Sequence, residues 1–325
     1  MKAVALLSGG LDSILACKTI TSQGIEVTAL SFTTPFFKCP PKKVEYLERV
    51  CKSQGIKLII TDITKDYIKI LRKPEHGYGK NLNPCIDCKI LMLKKAKQYA
   101  KKIGAKFIFT GEVLGQRPMS QHLAALHVIE NSAGLKGKLL RPLCAKHLKP
   151  TEAELKGYVN RELLHDMHGR DRNQQLRLAK SYGIKEYQSP AGGCLLTCED
   201  YCKKVKDMLN TKKKISIEDI ELLKIGRHYK IDGTKIYVGR NKADNDYLQN
   251  FKSKRDMIFI VPNHGSPITI LRGKHTKEAI ALAAQATARF SDAPEGKVIV
   301  KYGIKEPKKA IAIEKTGDVF NKFRI

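Results

Sequence analysis

The 325-residue chain has no apolar run long enough to span a membrane as a helix. It also lacks internal repeats and low-complexity segments, so a repeat array is not expected. Its start leads directly into the apolar stretch Ala3-Val4-Ala5-Leu6-Leu7 instead of a signal peptide, and a cytoplasmic location is the expectation. Acidic residues are scarce beside basic ones: 32 Asp and Glu against 60 Lys and Arg, a formal net charge of +28. That excess points to a polyanionic partner, nucleic acid first. A membrane surface ranks lower, because no basic amphipathic anchor helix stands out. A generally basic, soluble surface would carry the same charge.

The chain has 9 cysteines, which in a cytoplasmic protein do not read as a disulfide framework. Cys17 and Cys51 fall in helical patterns and read as small core residues. Cys39 and Cys144 are isolated. Cys85 and Cys88 form a C-x-x-C pair, and Cys194, Cys198 and Cys202 form a second group. The last two follow Cys194 at helical spacing and read as a buried helix face.

No Walker A motif is present, and no G-x-G-x-x-G dinucleotide fingerprint. What stands in their place is Ser8-Gly9-Gly10-Leu11-Asp12-Ser13, between a strand pattern over 3–7 and a helix pattern over 13–21. Glycines at such a turn let backbone N–H groups approach phosphate, and the helix N-terminus favours the anion.

Further strands are expected over 25–32, 57–63 and 106–110. Helices are expected over 43–54, 64–71 (Thr64 as N-cap) and from Cys85 to Ile103. The last shows Ile90, Leu93, Ala96, Ala100 and Ile103 on one face. The βαβαβαβ order predicts right-handed crossovers and a doubly wound parallel sheet. Ligands then sit at the carboxyl ends of the strands, which gathers Ser8–Ser13, the segment after Phe32 and Thr110-Gly111-Glu112 at one edge. A mainly helical stretch follows, opened by a capping-box spacing from Thr151 to Glu154 and interrupted by the turn from Ser189 to Cys194. After Ile225 an α+β pattern begins, with an Asp232-Gly233 hairpin and a last strand over 297–302. The expected domains are 1–150, 151–222 (carrying Cys194) and 223–325.

Asn83-Pro84 opens the helix at Cys85, Asn as cap and Pro in the first turn. Both thiols then lie at a helix N-terminus, where thiolate is favoured. Adding Cys194, after two glycines, makes three thiolates, one short of a closed four-cysteine site.

The hexapeptide resembles the pyrophosphate loop, S-G-G-x-D-S, of the PP-loop ATP pyrophosphatases, which have the adenine nucleotide alpha-hydrolase-like fold. These enzymes split ATP between its α and β phosphates and place AMP on a carbonyl oxygen. The loop, then N-P-C-x-x-C, then T-G, then G-G-C is similar to the tRNA thiouridine synthetases of that superfamily, over roughly residues 1 to 200. Arg141-Pro142-Leu143 resembles their R-P-L strand. The resemblance implies ATP bound by Ser8, Gly9, Gly10, Leu11, Asp12, Ser13, Phe32, Thr110 and Gly111, with Mg²⁺ near a catalytic Asp12. It also implies a [4Fe-4S] cluster on Cys85, Cys88 and Cys194. A uridine oxygen would be adenylated and then replaced by sulfide, drawn from free sulfide or a persulfide-carrying desulfurase. Lys80, in a glycine-rich segment, would assist phosphate or RNA, or simply be a solvated loop lysine. Two departures from relatives stand out: no THUMP-type domain precedes the loop, and no second C-x-x-C pair supplies flanking zinc fingers.

Tyr229-Lys230-Ile231-Asp232-Gly233 and Val238-Gly239-Arg240-Asn241 resemble the RNA-binding domain of NFACT proteins. The resemblance implies that tRNA is held by Arg227, Lys230, Arg240, Asn241 and Lys242. Lys252, Lys254 and Arg255 would add phosphate partners. Tyr229, Tyr237 and Tyr247 could stack on bases, although core packing is the stronger expectation for any one of them.

Rival readings stay open. Zn²⁺ could be held by the three cysteines with Cys198, His76 or another histidine. A persulfide mechanism could pair Cys85 or Cys88 with Cys194. A small-molecule PP-loop enzyme of the 7-deazaguanine nitrile type, or a non-catalytic RNA-binding module, would share parts of the pattern.

Overall fold

The computed structural model describes residues 1–37, 42–188, 193–315, 317 and 319–325. Cys39, and the turn residues Ser189 to Gly192, lie outside the described residues. The chain divides into two compact units, Met1–Cys198 and Glu199–Ile325. The helical stretch 151–222 falls on both sides of that division.

The first unit runs β1 (Lys2–Leu6), α1 (Leu11–Thr21), β2 (Glu26–Thr33), α2 (Lys43–Ser53), β3 (Lys57–Asp62), α3 (Thr64–Arg72), α4 (Cys85–Ile103), β4 (Phe107–Thr110), α5 (Leu123–Ala133), β5 (Leu139–Leu140), α6 (Glu152–Leu155) and α7 (Asn173–Ser181). Its strands form one five-stranded sheet in the order β3-β2-β1-β4-β5, with every pairing parallel. Strand alternation in β1 sends Ala3, Ala5 and Leu7 into a core with α1 and α2, and Val4 and Leu6 into a core with α4 and α5. Both faces are therefore covered, as the apolar run required. Ile90, Leu93, Ala96 and Ala100 of α4 are buried as their spacing predicts. Cys17 and Cys51 are core residues.

Local caps differ from expectation in two places. Thr64 is the first residue of α3, and Asp62 accepts its N–H at 3.1 Å and its hydroxyl at 2.8 Å. Asn83 does not cap α4, whose N-cap is Pro84. The Asn83 amide instead donates to Cys85 Sγ at 3.2 Å. The capping box of Thr151 and Glu154 forms as predicted.

The second unit holds α8 (Glu199–Thr211), α9 (Ile217–Leu222), β6 (Arg227–Ile231), β7 (Thr234–Val238), α10 (Lys242–Phe251), β8 (Met257–Ile260), β9 (Thr269–Arg272), α11 (Lys277–Arg289), β10 (Gly296–Gly303) and β11 (Lys309–Lys315). The sheet has six strands in the order β11-β10-β8-β9-β7-β6. The hairpin turn has φ of 45° at Asp232 and 78° at Gly233, the left-handed pair that an Asp-Gly turn favours. Strand β11 was not expected, since the sequence pattern was closed at residue 302. It pairs antiparallel with β10 from Gly296↔Lys315 to Tyr302↔Lys309. The alanine-rich face of α11 packs into the core of this sheet.

Candidate functional site

In the parallel sheet the chain turns outward to either side of the β1–β4 pair, so the crevice lies at the carboxyl ends of those strands. The Ser8–Ser13 loop follows β1, and Thr110-Gly111 ends and follows β4. Gly9 has a φ of +84°, and a Cβ there would stand 2.8 Å from Leu47 Cδ2. Tyr46 fixes this turn by donating its hydroxyl to Gly9 O at 2.7 Å. Ser13 Oγ donates to Gly10 O at 2.8 Å and accepts from Ser8 N at 3.3 Å. Leu11 is a buried core residue, so its part in the loop is backbone. A Cβ on Gly111 would lie 2.6 Å from the Asp12 carbonyl and Ser13 Cα. Glycine at that position lets β4's end close on the first turn of α1. Phe32 is half-buried at the end of β2.

Asp12 Oδ2 accepts from Gln116 Nε2 at 3.1 Å, while Asp12 Oδ1 is buried with no hydrogen-bond partner among the described residues. Burial holds this carboxyl above its usual range, against the opposing pull of Gln116, Arg172, Arg117 and Gln175. A carboxylate oxygen with no protein partner beside a phosphate loop suits a divalent cation.

Behind Thr110 lies a buried ion network. Glu112, 2% exposed, accepts from Thr110 Oγ1 at 2.9 Å and Arg141 Nε at 3.1 Å. Lys89 Nζ stands 3.5 Å from its other oxygen. Arg141 also pairs with Glu130. Burial raises the Glu112 carboxyl, but Lys89 and Arg141 outweigh it and hold the group below its ordinary value. The R-P-L segment thus follows β5 and supplies its arginine to the base of the site. Cys144, left unassigned by sequence, donates its thiol to Glu112 O at 3.3 Å.

The thiols gather around a residue that sequence reasoning missed, Tyr67 of α3. It is 1% exposed, and Cys88, Cys194 and Cys85 all act on its hydroxyl, which is raised first by burial and then by the thiols. The sequence assigns it no role, and only the fold brings the thiols to it. Cys85 and Cys88 sit on the first turn of α4. Cys194 is drawn in by an antiparallel bridge to Phe37 and by Leu195 N donating to Phe36 O at 2.8 Å. Both phenylalanine rings lie against Tyr67, with centroids 5.6 and 5.7 Å away.

Burial pushes the Cys88 thiol up to about 12, so the helix N-terminus does not make it a thiolate in the ligand-free chain. Of the downstream cysteines, Cys202 is buried on α8 but Cys198 is exposed, just before that helix. The expectation of one buried helix face therefore fails for Cys198. His76 Nδ1 lies 3.1 Å from Asp87 Oδ1, and Asp87 also accepts the N–H groups of Glu75 and His76. Lys80 is exposed.

In the second unit, the residues matched to RNA binding divide. Lys230 Nζ pairs with Asp207 at 2.5 Å, which Lys235 shares. Arg240 Nε holds Asp244 at 2.7 Å, and its Nη2 donates to Lys224 O at 2.9 Å. Arg227 lies 4.0 Å over the Phe290 ring. Asn241 Oδ1 caps α10 by accepting Asp244 N at 2.9 Å, and Lys242 is exposed beside it. Tyr229 and Tyr237 are buried, and Tyr247 stacks on Phe251 at 5.9 Å. These tyrosines pack the unit instead of offering open faces.

A parallel sheet with this loop at its switch point is a PP-loop-like fold. Residues 1–149 match the protein-family model described as thiamine biosynthesis protein (ThiI). Residues 226–320 match the model of the NFACT protein RNA binding domain. A probable tRNA sulfurtransferase of Thermoanaerobacter sp. (strain X514) is 32% identical over 147 residues, 44% of this chain and 36% of that protein. One from Saccharolobus islandicus (strain L.S.2.15 / Lassen #1) is 26% identical over 238 residues, 72% of this chain and 52% of that protein. The matches thus span about a third to a half of these relatives' length. A solved 4-thiouridine synthetase–RNA complex with bound ATP is similar at a TM-score of 0.38 and 22% identity, covering 68% of this chain and 52% of that one. Over its first 149 residues the chain is thus similar to the ThiI family and to probable tRNA sulfurtransferases, and over 226–320 it resembles the NFACT RNA-binding domain.

Proposed function

We propose that the chain is an ATP-dependent tRNA sulfurtransferase. The observation that carries this reading is the meeting of two chemistries at one sheet edge. The Ser8–Ser13 loop follows β1, and α4, which leads back into the parallel strand β4, starts with Cys85 and Cys88 at the same carboxyl edge. Cys194 joins them through the bridge to Phe37 beyond β2.

In this reading the loop's backbone and the α1 N-terminus hold the pyrophosphate of ATP. Asp12, through its unpartnered oxygen, would hold Mg²⁺, which neutralises phosphate charge when bound. A nucleobase carbonyl oxygen attacks the α-phosphorus, pyrophosphate leaves, and the base carries AMP. Sulfide then adds at the same carbon, AMP departs with the original oxygen, and a thiocarbonyl remains.

Cys85, Cys88 and Cys194 would hold a [4Fe-4S] cluster, whose fourth iron supplies a binding position for sulfide. Among the described residues, the donor group gathered within 4.8 Å is Glu75, His76 and Asp87, not the three thiols. Cys88, a thiol in the ligand-free chain, would lose its proton on ligation. The C-terminal unit would bind the tRNA.

Anaerobic purification with iron, acid-labile sulfide and zinc analysis tests the reading. Iron and sulfide in equal amounts, lost in Cys194→Ser, are expected. Zinc alone, even after anaerobic reconstitution, would move the thiols to another chemistry.

A further inference from the structure

The polar groups left unpaired around Asp12 extend beyond the phosphate loop. Gln175, on the first turn of α7, is 1% exposed; its side chain faces the Asp12 carboxylate and favours its charged form, yet neither amide atom reaches full hydrogen-bond geometry with a partner among the described residues. Arg172, the N-cap residue of α7, has a buried Nε with no partner. Asp12 Oδ1 is the fourth such atom and Asp12 the third such residue. Leaving one of these groups dry and unpaired costs roughly 1–3 kcal/mol. Three in one place describe a site completed by a polar ligand.

The fold brings them together deliberately. Gly169 N donates to Leu114 O at 2.8 Å, and Leu114 bridges His168, so the segment before α7 is tied to the loop after β4. That loop carries Gln116, bonded to Asp12, and the exposed Arg117. The charges of Arg172 and Arg117 both act on the Asp12 carboxylate.

We propose that Arg172 and Gln175 form a second wall of the nucleotide site and bind the β- and γ-phosphates of ATP, with Arg117 as an outer cation. The inference rests on the ATP reading above and assigns residues that no loop motif contains. A guanidinium offers two parallel N–H donors to phosphate oxygens, and the N-terminus of α7 adds its dipole. Gln175 supplies a neutral donor to the same oxygens while its carbonyl accepts from a bound water or hydrated cation.

Calorimetric titration of the full chain with inorganic pyrophosphate and with Mg-ATP tests this. Arg172→Gln is expected to weaken pyrophosphate binding by about tenfold or more. Arg172→Lys, which keeps the charge but loses the fork, should fall between it and the parent and serves if the glutamine variant does not fold. Gln175→Leu should weaken binding while raising the thermal midpoint, because two unpaired buried atoms are removed. Lys180→Gln, an exposed charge on the same helix, should alter binding by less than about twofold. If the parent binds both ligands and the Arg172 and Gln175 variants match it, the second wall is wrong and the ATP reading stands. If the parent binds neither ligand, the ATP reading itself fails.

Discussion

Around Asp12, polar groups are left without partners, whereas on the C-terminal sheet basic groups are answered by carboxylates. Asp12, Arg172 and Gln175 each keep a buried atom with no hydrogen-bond partner among the described residues. In the other unit Lys230 and Lys235 share Asp207, Arg240 holds Asp244, and Arg272 holds Asp256. A paired charge fixes a fold, and an unpaired buried group costs stability until a ligand completes it. The contrast separates residues that match a motif because they hold the domain together from residues free to meet a partner. On that criterion Arg240 and Lys230 of the NFACT-like stretch are structural first. Lys242, Lys252, Lys254 and Arg255 are exposed, so under the proposed function they are the candidates for phosphate contact.

The sharpest break in this contrast is the paired network inside the first unit. Arg141→Met would leave Glu112 and Glu130 without their shared cation in the interior. Denaturant unfolding should show the first unit destabilised by about 3–5 kcal/mol.

A pH titration of the second unit comes next. His228 is buried, donates from Nε2 to Ile225 O at 2.8 Å, and is held down to about 3, chiefly by burial. The unfolded histidine binds its proton near pH ~6.5, so stability is complete above that value and is lost as pH falls towards 3. The expected slope is about 1.4 kcal/mol per pH unit, read from hydrogen exchange of the β6 amides. His228→Phe should remove that slope even if it lowers stability overall.

Asp12→Asn should do the opposite of Arg141→Met. Burial already disfavours the Asp12 charge, so neutralising it should leave stability unchanged or slightly higher while ATP-dependent pyrophosphate release stops. Loss of folding in this variant would mean that Asp12 is structural. The smallest effect is expected for Lys242→Ala. Stability should move by less than about 0.5 kcal/mol. The salt dependence of tRNA affinity should lose about one unit of slope.

Much of the first unit was legible because its signals are local. The apolar run before Ser8, the two glycines, and the spacing of Ile90, Leu93, Ala96 and Ala100 each determine nearby backbone. The T-G step was legible as a motif, but its reason was not: Gly111 is needed because the backbone of Asp12 and Ser13 passes within van der Waals distance. Tyr67, Gln116, Arg172 and Gln175 were missed because their roles depend on partners far along the chain, joined only by the fold. The same holds for Lys230, whose partner Asp207 lies on a preceding helix. Strand β11 escaped because its edge position leaves most of its residues exposed, which blurs the alternation. Cys198 followed helical spacing from Cys194, but α8 starts only after it.

The most direct test of the account is to incubate the anaerobically prepared chain with tRNA, Mg-ATP and sulfide, then digest the tRNA and weigh its nucleosides. The expected result is a nucleoside in which sulfur has replaced oxygen, formed with pyrophosphate and AMP and absent from the Cys194→Ser reaction. Pyrophosphate release with no thionucleoside, from a chain that binds both tRNA and ATP, would contradict the account.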